Sequence, residues 1–195
     1  SSCLLDACNM LKIAIIAGST RPGRKADDVA RWVYDLASKR TDATFEIISL
    51  ADVNLPLLDE AIPPSMHQYE KEHTRRWAET IAAYDGFIFV TPEYNHAPPA
   101  ALKNALDFIY AEWNNKAAGF VSYGSMGGVR AVEQLRQIMT ELQIADVRTG
   151  VHFLLSEDFV DYTVFKPSEG HDEDLETQLD QLIAWSRALK TVREA

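Results

Sequence analysis

The chain has 195 residues, 47% of them hydrophobic, enough for one ordinary globular domain with an ample core. Its formal net charge of −10 argues against a nucleic acid or an anionic membrane surface as the main partner. No apolar run approaches the ~20 residues of a membrane span, and the two cysteines, Cys3 and Cys8, are too few for a disulfide framework or a metal site. A reducing cytoplasm is the natural compartment for such a chain.

Ser1 to Met10 shows no cationic stretch followed by an apolar run and does not read as a secretory signal; with Met10 as a natural start, residues 1–11 read as an N-terminal tail or a cloning remnant. A single domain is expected over 12–195. Lys12–Ala17 is apolar almost throughout and reads as a buried strand, and Ala26–Arg40 follows as a helix with Val29, Val33, Leu36 and Ala37 on one face. Thr44–Ser49 alternates as a strand nearer the sheet edge does. Leu50 to Tyr69, with Pro56, Pro63 and Pro64, reads as a long loop. Glu70–Ala83 returns to helical spacing, and Gly86–Thr91 is a third, wholly apolar strand.

Pro99–Tyr110 reads as a helix with its proline in the first turn, where a missing N–H costs nothing. Ala117–Tyr123 is the fourth strand, and Gly128–Leu142 a helix with Val132, Leu135, Met139 and Leu142 in register. Val147–Phe153 is the expected fifth strand and Asp172–Lys190 a closing helix. Apolar strands alternating with amphipathic helices imply a doubly wound parallel sheet of five strands, with helices on both faces. No internal repeat, low-complexity tract or second domain is evident.

In such sheets ligands bind beyond the carboxyl ends of the strands, and three polar segments fall there. After strand one comes Gly18-Ser19-Thr20-Arg21-Pro22-Gly23-Arg24, leading into a helix. Unpartnered amides and the helix dipole make such a turn an anion site, and Arg21, Arg24 and Lys25 add positive charge in an otherwise acidic chain. Strand three is followed by Thr91-Pro92-Glu93-Tyr94-Asn95-His96-Ala97-Pro98-Pro99, and strand four by Tyr123-Gly124-Ser125-Met126-Gly127-Gly128. The prolines fix a path, Tyr94 offers a flat face, Asn95 a two-way amide, and the glycines allow close approach to the main chain. One phosphate turn facing two wall loops suits a phosphorylated heteroaromatic ring, and flavin mononucleotide (FMN) meets that description.

Other phosphate chemistries fit poorly. The Walker pattern is missing because Gly23 precedes Arg24-Lys25-Ala26, and the dinucleotide fingerprint fails at Thr20. His67, His73, His152 and His171 lack metal-ligand spacing, so no metal is expected. Only His96 lies in a ligand loop. Ser122 and Ser125 lack the nucleophile-elbow context of acyl-transfer enzymes.

These residues resemble the NAD(P)H-dependent FMN reductases, flavodoxin-like quinone, azo-dye and chromate reductases. The motifs that carry the resemblance are Gly18–Arg24, Pro92-Glu93-Tyr94-Asn95, Leu102-Lys103-Asn104-Ala105 and Gly124–Gly128. The resemblance implies a flavodoxin-like fold with bound FMN, and NADPH or NADH as co-substrate. It places Ser19 and Arg21 on the FMN phosphate with Arg24 assisting, and Pro92, Glu93, Tyr94 and Asn95 along the ring and ribityl chain. Gly124, Ser125, Met126, Gly127 and Gly128 would present backbone to the pyrimidine edge. Lys103 and Asn104 are expected to anchor the loop and helix start. Arg24, Ala26 and Ala97 depart from the commonest bacterial pattern, and Pro99–Asn104 is closer to the quinone-reductase branch.

The expected activity is hydride transfer from a nicotinamide to FMN and on to a quinone-like or other small acceptor. The flavin carries the chemistry, so no catalytic side chain is assigned. A homodimer or homotetramer is implied by the resemblance. The alternatives are a flavodoxin-like electron carrier and a redox-sensing interaction protein; arginines in the phosphate turn favour the reductase.

Overall fold

The computed structural model describes residues 10–195. Both cysteines, and all of the expected tail except Met10 and Leu11, lie outside the described residues. Strand β1 (Leu11–Ala17) pairs in parallel with β2 (Ala43–Ser49) and with β3 (Gly86–Pro92), which pairs with β4 (Lys116–Gly124). With β5 (Ile144–Asp146) beside β4, the order β2-β1-β3-β4-β5 bears out the doubly wound, flavodoxin-like reading. Its reversal point falls between β1 and β3, so the segments leaving these strands diverge and open a crevice there.

Every residue of β3 and β4 is buried, as a central parallel strand covered on both faces requires. One face packs on α1 (Ala26–Ala37) and α7 (His171–Arg193), through Val29, Val33, Leu175 and Leu179. The other packs on α3 (Glu72–Ala82), α4 (Ala100–Asp107) and α5 (Val129–Glu141), around Trp77, Leu106, Trp113 and Leu135. The residue pattern of β1 divides accordingly: Ile13 and Ile15 serve the first core, Ala14 and Ile16 the second. The expected long loop after β2 carries a one-turn helix, α2 (Leu50–Val53), and a 3₁₀ turn at Pro64–Met66.

The fifth strand requires a correction. In place of Val147–Phe153, two short strands pair with successive parts of β4: β5 (Ile144–Asp146) with residues 116–118, and β6 (Val151–Leu154) with residues 121–124. Between them the chain leaves the ladder, and Gln178 of α7 enters the gap. Its amide nitrogen donates to the Phe120 carbonyl at 2.7 Å and to that of Thr149 at 2.8 Å. Gly119 makes room, because a Cβ there would lie 2.7 Å from the Gln178 side chain.

Beyond β6 a short helix α6 (Leu155–Asp158) leads into an antiparallel hairpin, β7 (Phe159–Val160) and β8 (Val164–Phe165). Asp158 knots this hairpin to the start of α7. Its carboxylate accepts the Leu154 and Ser168 amides at 2.8 Å each, the Ser168 hydroxyl at 2.7 Å, and contacts His171 Nε2 at 2.9 Å. Burial opposes its ionisation, but the Ser168 donors and the Leu154 amide outweigh this and hold the carboxyl below its ordinary value. The hairpin brings Phe159 against Tyr123 and Phe165 against Trp32, walling the crevice on the α1 side.

Candidate functional site

The three sequence-predicted segments converge at the carboxyl ends of β1, β3 and β4. The phosphate turn starts at Gly18, whose amide donates to the Val90 carbonyl at 2.8 Å and whose missing Cβ avoids that same oxygen. This contact locks the turn to the root of the loop after β3. Ser19 is fully buried, and its hydroxyl stands 2.8 Å from the Tyr94 hydroxyl. Arg21 reaches the same Tyr94 oxygen with Nε at 3.3 Å, and its own amide donates to Ser19 Oγ. Ser19, Arg21 and Tyr94, 75 residues apart at the extremes, thus form one polar cluster at the mouth of the crevice.

Helix α1 begins beside this cluster, and no side chain caps it at Lys25. Its leading amides face the crevice with the positive end of the helix dipole behind them. Tyr123, the penultimate residue of β4, lies beside the start of α1. Burial drives the Tyr123 phenol well above its ordinary pKa, the nearby Tyr94 adds to this, and it remains a neutral hydroxyl. Arg24 turns aside: its guanidinium pairs with Asp27 at 3.0 Å and donates to the Arg21 carbonyl, while its buried Nε has no partner among the described residues. Ser19 and Arg21 therefore meet at the Tyr94 hydroxyl, and Arg24 braces the turn.

The loop after β3 is shaped by its backbone. Tyr94 and Ala97 exchange two hydrogen bonds, at 2.9 and 3.2 Å, around Asn95 and His96, which both have positive φ (52° and 67°). This tight reverse turn lifts Asn95 and His96 into solvent and leaves the Tyr94 hydroxyl on Ser19. Pro92 is buried at the strand end. The side chain of Glu93 points away from the crevice, toward the start of α5. It accepts the amides of Arg130 at 2.9 Å and Ala131 at 3.1 Å, and Arg130 Nε at 2.6 Å. Burial opposes its ionisation, but the Arg130 guanidinium and the two amides prevail and depress its pKa. Glu93 is a cap supplied in trans to a helix whose own N-cap, Gly128, has no side chain.

The glycine loop closes the third side. The Gly127 amide donates to the Gly124 carbonyl at 3.1 Å, and Gly127 and Gly128 both take φ of +75°. A side chain at Gly128 would meet Ser122 Cβ at 2.8 Å and the Tyr123 backbone at 2.9 Å, so the loop lies flat on the strand end. Ser125 and Met126 are exposed at its crest. On the α4 side of the phosphate turn lies a cavity of about 300 Å³ bordered by Thr20, Asn54 and Asn104. Asn104 binds the Pro56 carbonyl and the Leu58 amide at 2.8 and 2.9 Å, so it anchors a loop, while Lys103 pairs with Asp107.

Residues 11–157 match the family described as NADPH-dependent FMN reductase. The chain belongs to this family. It is 40% identical over 158 residues to the NAD(P)H-dependent FMN reductase ntnL of Nectria sp, covering 76% of this chain and 79% of that one. A quinone reductase of Pseudomonas putida is 32% identical over 139 residues, 68% of this chain and 71% of the relative. Among solved structures, the NAD(P)H:acceptor oxidoreductase FerB of Paracoccus denitrificans superposes with a TM-score of 0.71 at 20% identity, covering 92% of this chain and 98% of that chain. The family members are flavin-dependent NAD(P)H oxidoreductases, which bears out the reductase reading over that of a carrier.

The residues fit an FMN phosphate. A buried hydroxyl, an arginine and an uncapped helix start converge on one spot, and Tyr123 and Tyr94 add hydroxyls. The sequence places Tyr123 at the head of the segment after strand four but gives it no role in the site; the pairing of β4 beside β3 brings it to α1.

Proposed function

We propose that the crevice binds FMN with its phosphate on Ser19, Arg21 and the start of α1, and its ring between Tyr94-Asn95 and Gly124–Gly128. Pro92 and the Glu93 backbone form the floor beneath the ribityl chain, and Ser125 and Met126 border the open edge. The single observation that carries this is the Ser19–Tyr94–Arg21 cluster facing an uncapped helix, since it joins the turn after β1 to the loop after β3 in one anion-binding surface.

FMN supplies hydride acceptance and onward transfer when bound. The protein's part is to hold the phosphate, keep the 94–97 turn and the glycine loop rigid, and leave one side open for a nicotinamide and then an acceptor. We take the acceptor to be a quinone, in line with the quinone reductase relative. No helix among the described residues is long and apolar enough to cross a membrane, and we assign the protein to the cytoplasm. Leu57 and Met66, 80% and 59% exposed on the loop before α3, favour a homodimer or homotetramer that covers them.

The test is direct. The purified protein is saturated with FMN, and NADPH and NADH oxidation are followed with menadione as acceptor. Rapid oxidation that requires both FMN and the quinone is expected. A protein that takes up no FMN would sink the assignment; one that binds FMN but turns over no quinone would remove only the acceptor.

A further inference from the structure

Two polar side chains lie beneath the glycine loop without a role in the site described above. Ser122 of β4 and His152 of β6 are register partners in the sheet. They sit on the face covered by α5, Ser122 under Gly128 and His152 under Gly127. The Ser122 hydroxyl is 2.6 Å from the Gly127 carbonyl oxygen and 2.7 Å from His152 Nδ1. A carbonyl oxygen can only accept, so the single hydroxyl proton goes to Gly127, and His152 donates from Nδ1 to Ser122 Oγ. Burial keeps the imidazole below its ordinary value and neutral. Arg136 and His171 act in the same direction and Asp174 and Glu133 against it. Gly150 leaves space for the ring, because a Cβ there would lie 2.5 Å from Nε2.

The sheet does not need this chain of bonds. The main-chain groups of Ser122 and His152 belong to the ladder, and apolar side chains at these positions would be buried at less cost than a hydroxyl and an imidazole. What the pair does control is the peptide between Gly127 and Gly128. With glycine on both sides, that peptide can turn over against little steric resistance. Holding the Gly127 carbonyl on Ser122 fixes the plane and sends the Gly128 N–H to the opposite side. The Gly128 nitrogen lies 3.3 Å from where a Gly124 Cβ would stand, and it donates to no backbone carbonyl among the described residues.

We propose that Ser122 and His152 are positioning residues for the flavin: they hold the 127–128 peptide so that its N–H, and not its carbonyl, faces the cofactor ring. This rests on the placement of the ring against loop 124–128. A fixed donor on that side favours added electron density on the ring, so the pair raises the tendency of the bound cofactor to accept hydride.

Apoprotein of Ser122→Ala, His152→Leu and His152→Asn is titrated with FMN by flavin fluorescence, and the midpoint potential of bound FMN is measured against indicator dyes. Gly124→Val serves as a loop control. Loss of the bond in Ser122→Ala or His152→Leu should weaken FMN about tenfold, the scale of one buried hydrogen bond, and lower the midpoint potential. His152→Asn, whose Nδ2 takes the place of Nδ1, should restore both. Ser122→Cys, nearly isosteric with a weak donor, should shift both in the same sense and serves if Ser122→Ala does not fold. A role in packing alone would lower the thermal midpoint of the apoprotein and leave the potential at the wild-type value; that result overturns the proposal. If Gly124→Val weakens FMN while Ser122→Ala and His152→Leu change neither affinity nor potential, the positioning role falls alone. If Gly124→Val also leaves affinity unchanged, the placement of the ring falls with it.

Discussion

The two ends of the sheet treat their polar groups in opposite ways. At the amino ends of the strands, Asp85 accepts the Lys12 amide at 2.9 Å and pairs with Arg193, whose guanidinium also donates to the Asn115 carbonyl at 2.7 Å. Beside it the buried ammonium of Lys116 donates to the Ile81 carbonyl at 3.0 Å and closes the end of α3. Burial, together with the nearby Arg193, lowers the Lys116 pKa to about 8. At the carboxyl ends, the start of α1 is uncapped, Arg21 is exposed and the Gly128 amide has no backbone partner among the described residues. Groups satisfied internally hold the fold together; groups left facing a crevice are available to a ligand. One sheet therefore separates stability and binding by which end of a strand a residue occupies.

Substitutions at the two ends should separate these properties, and the largest effect belongs to the closed end. Asp85→Ala strands Arg193 and the Lys12 amide and should cost about 3 kcal/mol in urea unfolding, with FMN affinity of the folded protein within about twofold of wild type. Equal loss of affinity and stability would break the distinction. At the open end, Arg21→Ala should weaken FMN by ~1.5–3 kcal/mol, about 10–150-fold, the range for a charge-assisted bond. Unfolding of the apoprotein should stay within about 0.5 kcal/mol, as for an exposed residue. Unchanged FMN affinity would mean that the phosphate sits elsewhere.

Two residues at the open end belong functionally to the closed kind. Glu93→Gln keeps the shape of the α5 cap but removes its charge, and should cost ~1–2 kcal/mol in stability, with FMN affinity following only through the glycine loop. A variant as stable as wild type but unable to bind FMN would place Glu93 on the ligand instead. The smallest effect concerns pH. The Asp158 carboxyl titrates lower in the folded chain than in the unfolded one. Its contribution is therefore complete above the ordinary carboxylate value and is lost as pH falls through the depressed folded value. Stability of Asp158→Asn, about 1 kcal/mol lower near neutral pH, should converge on wild type in acid. A constant gap at every pH would show that this carboxylate does not contribute through its charge.

Much of this was legible in the sequence because period and position are local. The uninterrupted apolar runs of β1, β3 and β4 reveal strands buried on both faces, and the Gly18–Arg24 turn announces itself by composition. What stayed hidden depends on juxtaposition. Glu93 sits within a ligand motif, yet only the fold shows its carboxylate turned to α5. Ser122 and His152 read as ordinary strand residues until register sets β4 between β3 and β6. The fifth strand misled because Val147–Phe153 has strand-like content, while the break at 147–150 is made by Gln178, a residue on a helix that has no sequence relation to it.

That side chain has a further consequence. A strand edge with free carbonyls is a template on which other chains add strands, and at Phe120 and Thr149 the template is occupied by an amide from α7. The segment shared with the family ends at residue 157, before α7 begins. Colloidal behaviour and chain length are thus linked here: the helix farthest along the sequence shields a notch in the sheet from intermolecular strand addition, and the family-matched segment by itself would present that notch to its neighbours.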